Sequence, residues 1–249
     1  YKRQNNKNMS SEWIATADDF PCFLGPEGTA SLDGVELDTN WQANPPQCVW
    51  RRPIGAGWSG FATYGNHAVT LEQRGNDESI SCYALETGEP EWVVSVPARH
   101  ETVLGGIGPR STPTIRDGVV YATGATGWLH AIEGSTGKIL WRKDIVADLG
   151  IDRATHASAV AWGRSGSPLV TENLVSTPAG GPRKATKLQD VDSGTVAPTT
   201  SPYVSLVAYD RTTGDLAWLA GKEQIAYASP QLLRLNDQNV VATVNDCLL

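Results

Sequence analysis

A short motif that recurs in register constrains the fold of this chain more than any other feature of its sequence. The copies are CYALETGEPEW at 82–92, AIEGSTGKILW at 131–141 and AYDRTTGDLAW at 208–218. Each copy has a Thr-Gly pair and ends in a tryptophan four residues after that glycine. Trp50 stands where a preceding copy would end. A spacing of roughly 40 to 50 residues is typical of propeller blades and comparable repeat arrays.

Proline-containing elements mark the start of each repeat, in STPTI at 111–115, GSPLV at 166–170 and YASPQLL at 227–233. One repeat is lengthened by residues 179–202, which are rich in glycine, proline, serine, threonine and charge. We interpret this segment as a loop insertion inside a repeat, with residues 183–200 protruding without regular structure. This segment fits either a partner-binding loop or lid, or an ordinary solvated loop.

The residues within one repeat predict β-strands. TPTIRDGVVYATG has two β-rich runs around Asp117-Gly118, a pair that suits a tight hairpin. WLHAIEGSTGKILWRKD supplies a second pair of runs around Thr136-Gly137. Each repeat is therefore predicted to be a four-stranded antiparallel meander. Residues 142–152 can hold one or two helical turns at most. Comparable turn formers lie at Gly65-Asn66, Glu172-Asn173 and Asn236-Asp237.

The pattern Ala-x-Asp-x-x-Thr-Gly-Lys-x-x-Trp resembles the tryptophan-docking repeat of the pyrroloquinoline quinone (PQQ) family of β-propellers. That family includes quinoprotein alcohol dehydrogenases and an outer-membrane assembly lipoprotein. DDFPCFLGPEG, GIGPRSTPT and the run from about residue 20 to residue 249 are also similar to envelope proteins of this group. The copy at 82–92 departs furthest, with Cys82 in place of alanine and Ala84 in place of the acid.

The resemblance implies an all-β fold: an incomplete β-propeller of four-stranded antiparallel blades, with about three whole blades and parts of two. It also implies that Trp92, Trp141 and Trp218 wedge between neighbouring blades. Each indole carries a large apolar area, and its loss typically costs about 3 to 5 kcal/mol. These three residues are therefore expected to be structural.

The ends of the chain lie outside this repeat pattern. Residues 1–19 are expected to be a disordered tail, because their first part is polar and basic with no hydrophobic core of a secretory signal. The last residues, 240–249, stop in the middle of a repeat. We therefore expect residues 20–249 to be a fragment of a larger propeller, with part of any central site elsewhere.

Composition excludes several classes of function. The net charge of −7 and the pI near 5.1 argue against nucleic-acid binding. No apolar stretch approaches the ~20 residues of a membrane helix. The cysteines fit neither a disulfide framework nor a metal pattern, which favours free thiols. The histidines give no local zinc motif, so no metal site is predicted. The four cysteines are Cys22, Cys48, Cys82 and Cys247, and the four histidines are His67, His100, His130 and His156.

Familiar catalytic motifs are absent from the sequence. GWSGF at 57–61 and GRSGS at 163–167 do not fit the Gly-x-Ser-x-Gly nucleophile elbow, and the strand-to-helix context is missing. GGIG at 105–108 precedes no helix that could bind phosphate. No catalytic residue is assigned.

Aromatic and arginine residues precede the first strands of successive repeats and form the candidate binding site. Flat indoles and guanidinium groups suit a planar anionic ligand such as a quinone tricarboxylate, and they suit packing between blades equally well. The candidate cofactor-binding residues are Trp58, Arg110, Trp162 and Arg164, with Ser59 and Ser111 beside them. PQQ with calcium is the cofactor that the resemblance implies. No cluster of calcium-ligating oxygens can be assigned, and no adjacent cysteine pair of the alcohol dehydrogenase type occurs.

Three functions remain open from the sequence. The favoured one is a binding or scaffold module of the cell envelope or periplasm, with a protein or small-molecule partner at the propeller funnel. The second is a PQQ-dependent dehydrogenase of alcohols or sugars, which rests on the resemblance alone. The third is a polysaccharide-binding propeller that uses exposed tryptophans. The location in the envelope is likewise implied by the resemblance.

Overall fold

Three four-stranded antiparallel sheets follow one another along the chain in the computed structural model, which describes residues 13–183 and 202–246. Within each sheet the strands are hydrogen-bonded in chain order, as in a meander. Each repeat predicted from the sequence corresponds to one sheet. The structure therefore confirms the predicted all-β class and the incomplete propeller of four-stranded blades.

The strands of each blade are short and are joined by tight turns. Blade 1 contains β1 (Ala62–Tyr64), β2 (His67–Arg74), β3 (Asp77–Ala84) and β4 (Pro90–Pro97). A small hairpin of β5 (Glu101–Thr102) and β6 (Gly106–Ile107) follows it. Blade 2 contains β7 (Thr114–Arg116), β8 (Val119–Thr123), β9 (Trp128–Glu133) and β10 (Lys138–Asp144).

Two short helices separate blade 2 from blade 3. They are α1 (Ile145–Asp148) and α2 (Arg153–Ala159). Blade 3 contains β11 (Leu169–Val170), β12 (Leu174–Gly180), β13 (Val204–Asp210) and β14 (Leu216–Ala220). The strands beyond it are β15 (Gln224–Ile225), β16 (Gln231–Leu235), β17 (Gln238–Ala242) and β18 (Asn245–Asp246). The β16–β17 hairpin occupies the place of the first two strands of a further blade.

The predicted hairpin turns are present where the sequence places them. Asp117 and Gly118 have φ angles of 51° and 73°, and Asn236 and Asp237 have φ angles of 49° and 62°. Two consecutive left-handed residues are what a two-residue hairpin turn requires. These dipeptides therefore set the register of β7–β8 and β16–β17.

The helical segment is longer than the sequence predicts. Helix α1 lies within the predicted residues 142–152, whereas α2 lies beyond them. The side chain of Asp152 accepts a hydrogen bond from the backbone N–H of Thr155 at 3.0 Å and so caps α2. His156 is the one buried residue of α2. The sequence of this helix therefore has no periodic pattern of apolar residues from which a helix could be predicted. Neither of these helices, in the part of the chain that the structure describes, has the length and apolar character needed to cross a membrane.

The hydrophobic core consists of layers between adjacent blades. Blade 2 contributes Val120 and Ile132 to the layer shared with blade 1, and Tyr121 and Leu129 to the layer shared with blade 3. Successive residues of a strand point to opposite faces of its sheet. The middle blade therefore buries both faces of its central strands, which explains why β8 and β9 are mostly apolar.

The tryptophan that ends each motif contacts the next blade. The indole of Trp92 lies over Gly137, where a Cβ atom would be 2.8 Å from its Cγ. The indole N–H donates to the carbonyl of Gly134 at 2.6 Å. Trp141 lies in the same way over Gly214 and donates to the carbonyl of Arg211 at 2.9 Å. The Thr-Gly turn of one blade is thus the receptor for the indole of the blade before it.

Trp50 makes the same contact although no sheet precedes blade 1 in the described residues. Its indole lies over Gly88 and donates to the carbonyl of Leu85 at 2.8 Å. This position agrees with the prediction that Trp50 ends a preceding copy. The motif predicts that Trp92, Trp141 and Trp218 are all buried at blade contacts. The structure buries Trp141, whereas Trp92 and Trp218 are half-buried.

The N-terminal segment packs against blades 1 and 2 in its described part. Trp13 stacks on Tyr64, with ring centroids 5.8 Å apart. A carboxylate oxygen of Asp19 accepts a hydrogen bond from the backbone N–H of Gly65 at 2.8 Å. The packed part of the chain therefore begins before residue 20. The rest of the predicted tail, residues 1–12, lies outside the described residues.

The predicted insertion joins two paired strands of one blade. Strands β12 and β13 are antiparallel neighbours, with Gly180 opposite Val204. The insertion therefore interrupts blade 3 without dividing it. Residues 184–201, on which the prediction of a protruding loop rests, lie outside the described residues, as does Cys247.

Two glycines of blade 2 with the same backbone conformation test the indole contact. Gly137 and Gly118 have φ angles of 72° and 73°, but only Gly137 is covered by an indole, whereas a Cβ atom on Gly118 would meet no atom within 4 Å. We expect Gly118→Ala to lower the free energy of unfolding by about 1 kcal/mol, the strain of a left-handed alanine. Gly137→Ala should lower it by about 2 kcal/mol more, because Trp92 must also move. Urea denaturation measures both values, and equal losses would contradict the contact.

Candidate functional site

The connections between successive blades meet at one place on the molecule. Residues 98–113 join blade 1 to blade 2, and residues 160–168 join α2 to blade 3. The hydroxyl of Thr102 donates to the carbonyl of Ala161 at 2.5 Å. A Cβ atom on Gly105 would lie 2.5 Å from the same carbonyl oxygen, so this approach requires glycine. The β5–β6 hairpin is thereby held against the second connection.

A cavity of about 580 Å³ lies between these connections. Most of its lining side chains are aromatic or aliphatic, and several are solvent-exposed. The side chain of Val103 is fully exposed, that of Leu104 is 71% exposed and that of Trp58 is 69% exposed. The lining residues are Trp58, Val103, Leu104, Gly105, Gly106, Arg110 and Trp162. The structure therefore brings three of the four predicted site residues together.

Arg110 provides the positive charge of this cavity. Its Cζ atom lies 5.4 Å from the centroid of the Trp58 ring, which is within cation–π distance. One terminal nitrogen donates to the carbonyl of Gly105, and the other is buried without a partner among the described residues. Burial lowers the pKa of Arg110, yet a guanidinium keeps its charge at neutral pH. A buried donor without a partner is energetically costly, so a hydrogen bond from it to a ligand oxygen would stabilise the complex.

Trp162 forms the opposite side of the cavity. Its ring meets Tyr227 edge-on, with centroids 5.0 Å apart and an interplanar angle of 85°. Tyr227 lies just before the Ser-Pro element that precedes β16, so the segment after blade 3 also supports the cavity wall. The indole is 39% exposed. It therefore combines a fixed position with an accessible surface.

Arg164 lies elsewhere, although it is only two residues from Trp162. Its side chain is 3% exposed, and its terminal nitrogens donate to the carbonyls of Pro178 at 2.6 Å and Ala179 at 2.5 Å. Burial lowers its pKa to about 10. The chain turns at Gly163, which has a φ angle of 70°, and this turn separates Arg164 from the cavity. Its contacts fit the packing alternative for this residue.

The serines beside the candidate residues join adjacent blades. Ser59 donates to the carbonyl of Ser111 at 2.7 Å. In the next repeats the hydroxyl of Ser167 accepts from the backbone N–H of Thr112 at 2.8 Å, and that of Ser229 accepts from the N–H of Ser167 at 2.9 Å. These bonds connect the segments that precede the first strands of successive blades. None of these residues lines the cavity.

A second cavity, of about 640 Å³, lies between the N-terminal segment and the first strands of the blades. Cys22 is part of its lining, and its thiol donates to the carbonyl of Gly25 at 3.0 Å. The backbone N–H of Ile115 donates to the carbonyl of Pro21 at 2.7 Å. The N-terminal segment thus covers the starts of the first strands.

The residues of the cavity beside Arg110 fit only part of the cofactor that the resemblance implies. Two indoles and a guanidinium with a free donor suit a planar anionic ring system. Calcium needs six to eight oxygen ligands, mostly from carboxylates and carbonyls. Among the described residues that line this cavity, none carries a carboxylate or an amide side chain. The lining therefore supports a flat anionic group but gives no side-chain ligands for calcium.

The structure of the described residues resembles solved propellers of low sequence identity. The quinohemoprotein alcohol dehydrogenase from Comamonas testosteroni matches 81% of this chain at 17% identity, with a TM-score of 0.53 over 27% of its own length. A europium-containing methanol dehydrogenase matches 72% of this chain and 27% of its own, at 16% identity and a TM-score of 0.46. BamB from Moraxella catarrhalis matches 68% of this chain and 64% of its own length, at 14% identity and a TM-score of 0.32. No curated protein matches the sequence.

Fold and repeat pattern together define a β-propeller with PQQ-like repeats. The sequence model of the family described as outer membrane protein assembly factor BamB matches residues 76–245, and the chain belongs to this family. It spans about a quarter of the length of the two dehydrogenases that it matches.

Sequence reasoning missed the exposed aliphatic residues of the cavity, and it missed Glu78, which supports the connection that carries Trp162. Val103 and Leu104 carry no motif, because they belong to the short β5–β6 hairpin between repeats. Glu78 lies under the connection that carries Trp162. Its side chain accepts a hydrogen bond from the backbone N–H of Ala125 at 2.7 Å, and the carbonyl of Ala125 accepts one from the N–H of Arg164 at 3.0 Å.

The buried Glu78 should make the stability of the protein depend on pH. Burial raises its pKa from 4.5 to about 7, so the folded state binds the proton more tightly than the unfolded state. Its contribution to the free energy of unfolding should therefore fall by on the order of 3 kcal/mol as pH rises from about 4.5 to about 7. Glu78→Gln should be increasingly more stable than the wild type over that range. Urea denaturation across the range measures the difference, and a difference independent of pH would contradict this assignment.

Proposed function

We propose that this chain is part of a binding or scaffold propeller of the cell envelope, and that it contacts its partner through the cavity between the blade connections. The observation that carries this proposal is the exposed aromatic and aliphatic surface around Arg110. Exposed apolar surface at a cavity is typical of interaction sites. Tryptophan and arginine are the residues that dominate the energetics of protein interfaces.

The arrangement of the cavity suits a protein partner. Val103 and Leu104 project from the tip of the β5–β6 hairpin and would be covered on binding. Trp58 and Trp162 offer apolar area on either side of them. The free N–H of Arg110 would donate a hydrogen bond to a carboxylate or backbone carbonyl of the partner. The family description, which names outer membrane protein assembly, supports both a protein partner and a location in the envelope.

A PQQ-dependent dehydrogenase of alcohols or sugars is the second candidate. The two indoles and the guanidinium favour a flat anionic ligand, and the fold likeness to a quinohemoprotein dehydrogenase is compatible with it. The absence of an adjacent cysteine pair from the sequence argues against this candidate. A polysaccharide-binding propeller is a third candidate, favoured by exposed tryptophans such as Trp58 and Trp162.

Site-specific photocrosslinking in the full-length protein tests the binding role. We expect Val103→p-benzoylphenylalanine to give a discrete protein adduct in the envelope fraction. Asn76→p-benzoylphenylalanine is the matched control, because Asn76 is also exposed but lies in the β2–β3 turn of blade 1. Combining the Val103 probe with Arg110→Ala should reduce the adduct about tenfold, as the loss of an interface arginine does. Equal adducts from both positions, or none from Val103, would contradict the proposal.

Titration with PQQ and calcium separates the binding role from the dehydrogenase. We expect no saturable quenching of tryptophan fluorescence at micromolar PQQ, because the cavity supplies no side-chain calcium ligands and only one cation. A dye-linked alcohol oxidation assay should show no activity. Saturable quenching that Arg110→Ala abolishes would instead favour the dehydrogenase, and Arg164→Ala, whose site lies outside the cavity, is the control.

A further inference from the structure

Three side chains of blade 1 bring nitrogen, sulfur and oxygen atoms together. Nδ1 of His67 lies 2.7 Å from Oε2 of Glu91, and Sγ of Cys82 lies 3.1 Å from the same oxygen. All three potential ligand atoms lie within 4.8 Å of one another. This cluster is separate from the cavity between the blade connections, and it takes no part in the proposed partner contact.

The strand register explains how these residues meet. Val69 lies opposite Cys82, so His67 and Cys82 project from the same face of the β2–β3 pair. Between β3 and β4 the register shifts, because Cys82 lies opposite Trp92 and Tyr83 lies opposite Pro90. Glu91 is the extra residue of this β-bulge. A bulge redirects a side chain, and here it turns the carboxylate towards His67 and Cys82.

The other two blades have the same backbone irregularity but none of the ligand side chains. Their bulges fall at Leu140 and Ala217. The positions that correspond to Cys82 are Ala131 and Ala208, each opposite its blade's final tryptophan. The positions that correspond to His67, the first residue of the second strand, are Val119 and Leu174. The fold therefore does not require histidine, cysteine or glutamate here, and blade 1 has all three.

The surroundings of the cluster hold it in place. His67 is 1% exposed and Cys82 is fully buried, whereas the side chain of Glu91 is 26% exposed. The ring of Trp13 stacks on the imidazole of His67, with centroids 4.6 Å apart and an interplanar angle of 17°. This stacking fixes the orientation of the imidazole. The partly exposed carboxylate leaves a route from solvent.

We propose that His67, Cys82 and Glu91 form a zinc-binding site in blade 1. Zinc accepts thiolate, imidazole and carboxylate ligands together, whereas calcium and magnesium require oxygen ligands. In the metal-free protein the thiol of Cys82 and Nδ1 of His67 are both hydrogen-bonded to the Glu91 carboxylate. Zinc binding releases the thiol proton to solvent, and the neutral imidazole then carries its proton on Nε2. Three protein ligands leave one position for water. The site would join the three longest strands of blade 1 next to the indole contact made by Trp92.

Metal analysis of the untagged chain tests the site. After equilibration with micromolar zinc and dialysis, we expect about one equivalent of zinc in the wild type. Cobalt in place of zinc should give a thiolate-to-cobalt charge-transfer absorption in the near ultraviolet. Cys82→Ala should lose both, and it introduces the residue that blades 2 and 3 carry at this position. Cys48→Ala, at an exposed cysteine, is the matched control and should keep both.

Glu91→Gln provides a second variant with little effect on the core, because Glu91 is partly exposed. We expect it to weaken zinc binding about tenfold or more, since it removes one of three ligands. Zinc should also raise the melting temperature of the wild type and not that of Cys82→Ala. Equal zinc content in the wild type and Cys82→Ala, or a cobalt–thiolate band that disappears in Cys48→Ala instead, would overturn the proposal. Either result would leave the cluster as a hydrogen-bonded triad.

Discussion

The contact between an indole and a glycine turn determines how the blades are arranged. Trp50, Trp92 and Trp141 each cover the glycine of the following blade, and each donates to the carbonyl three residues before that glycine. A hydrogen bond and close packing at this point set the distance between neighbouring sheets. A single four-stranded sheet cannot bury its apolar faces alone, so the cores of these blades depend on that spacing.

Because this contact lies at the outer strands, the connections at the opposite side of each blade are free to differ. The first connection carries the β5–β6 hairpin with its exposed aliphatic residues, and the second carries two helices and Trp162. Hydrogen bonds made by Ser59, Ser167 and Ser229 keep the blades together where the connections diverge. A repeated scaffold thus presents loops of different chemistry side by side, and the cavity with Arg110 lies between two of them.

The sequence predicts the features that repeat and misses those that occur once. The Thr-Gly-x₃-Trp motif and the turn dipeptides specify blade order and strand pairing, because each has a local physical cause. Proximity in sequence predicts that Arg164 lies beside Trp162, but the turn at Gly163 directs its side chain into blade 3. Val103 and Leu104 have no local signal at all. Their importance arises only from exposure, which depends on the packing of distant segments.

The copy of the motif at 82–92 is the weakest match to the repeat, and this departure has a structural meaning. Cysteine replaces the small alanine that blades 2 and 3 place opposite the final tryptophan, and glutamate occupies the bulge. Sequence spacing alone could not assign a metal site, since the three residues lie on three different strands. Comparison between blades distinguishes the residues that the fold requires from the residues that only one blade carries. In a repeat protein the positions where one copy departs are therefore the first places to examine for chemistry.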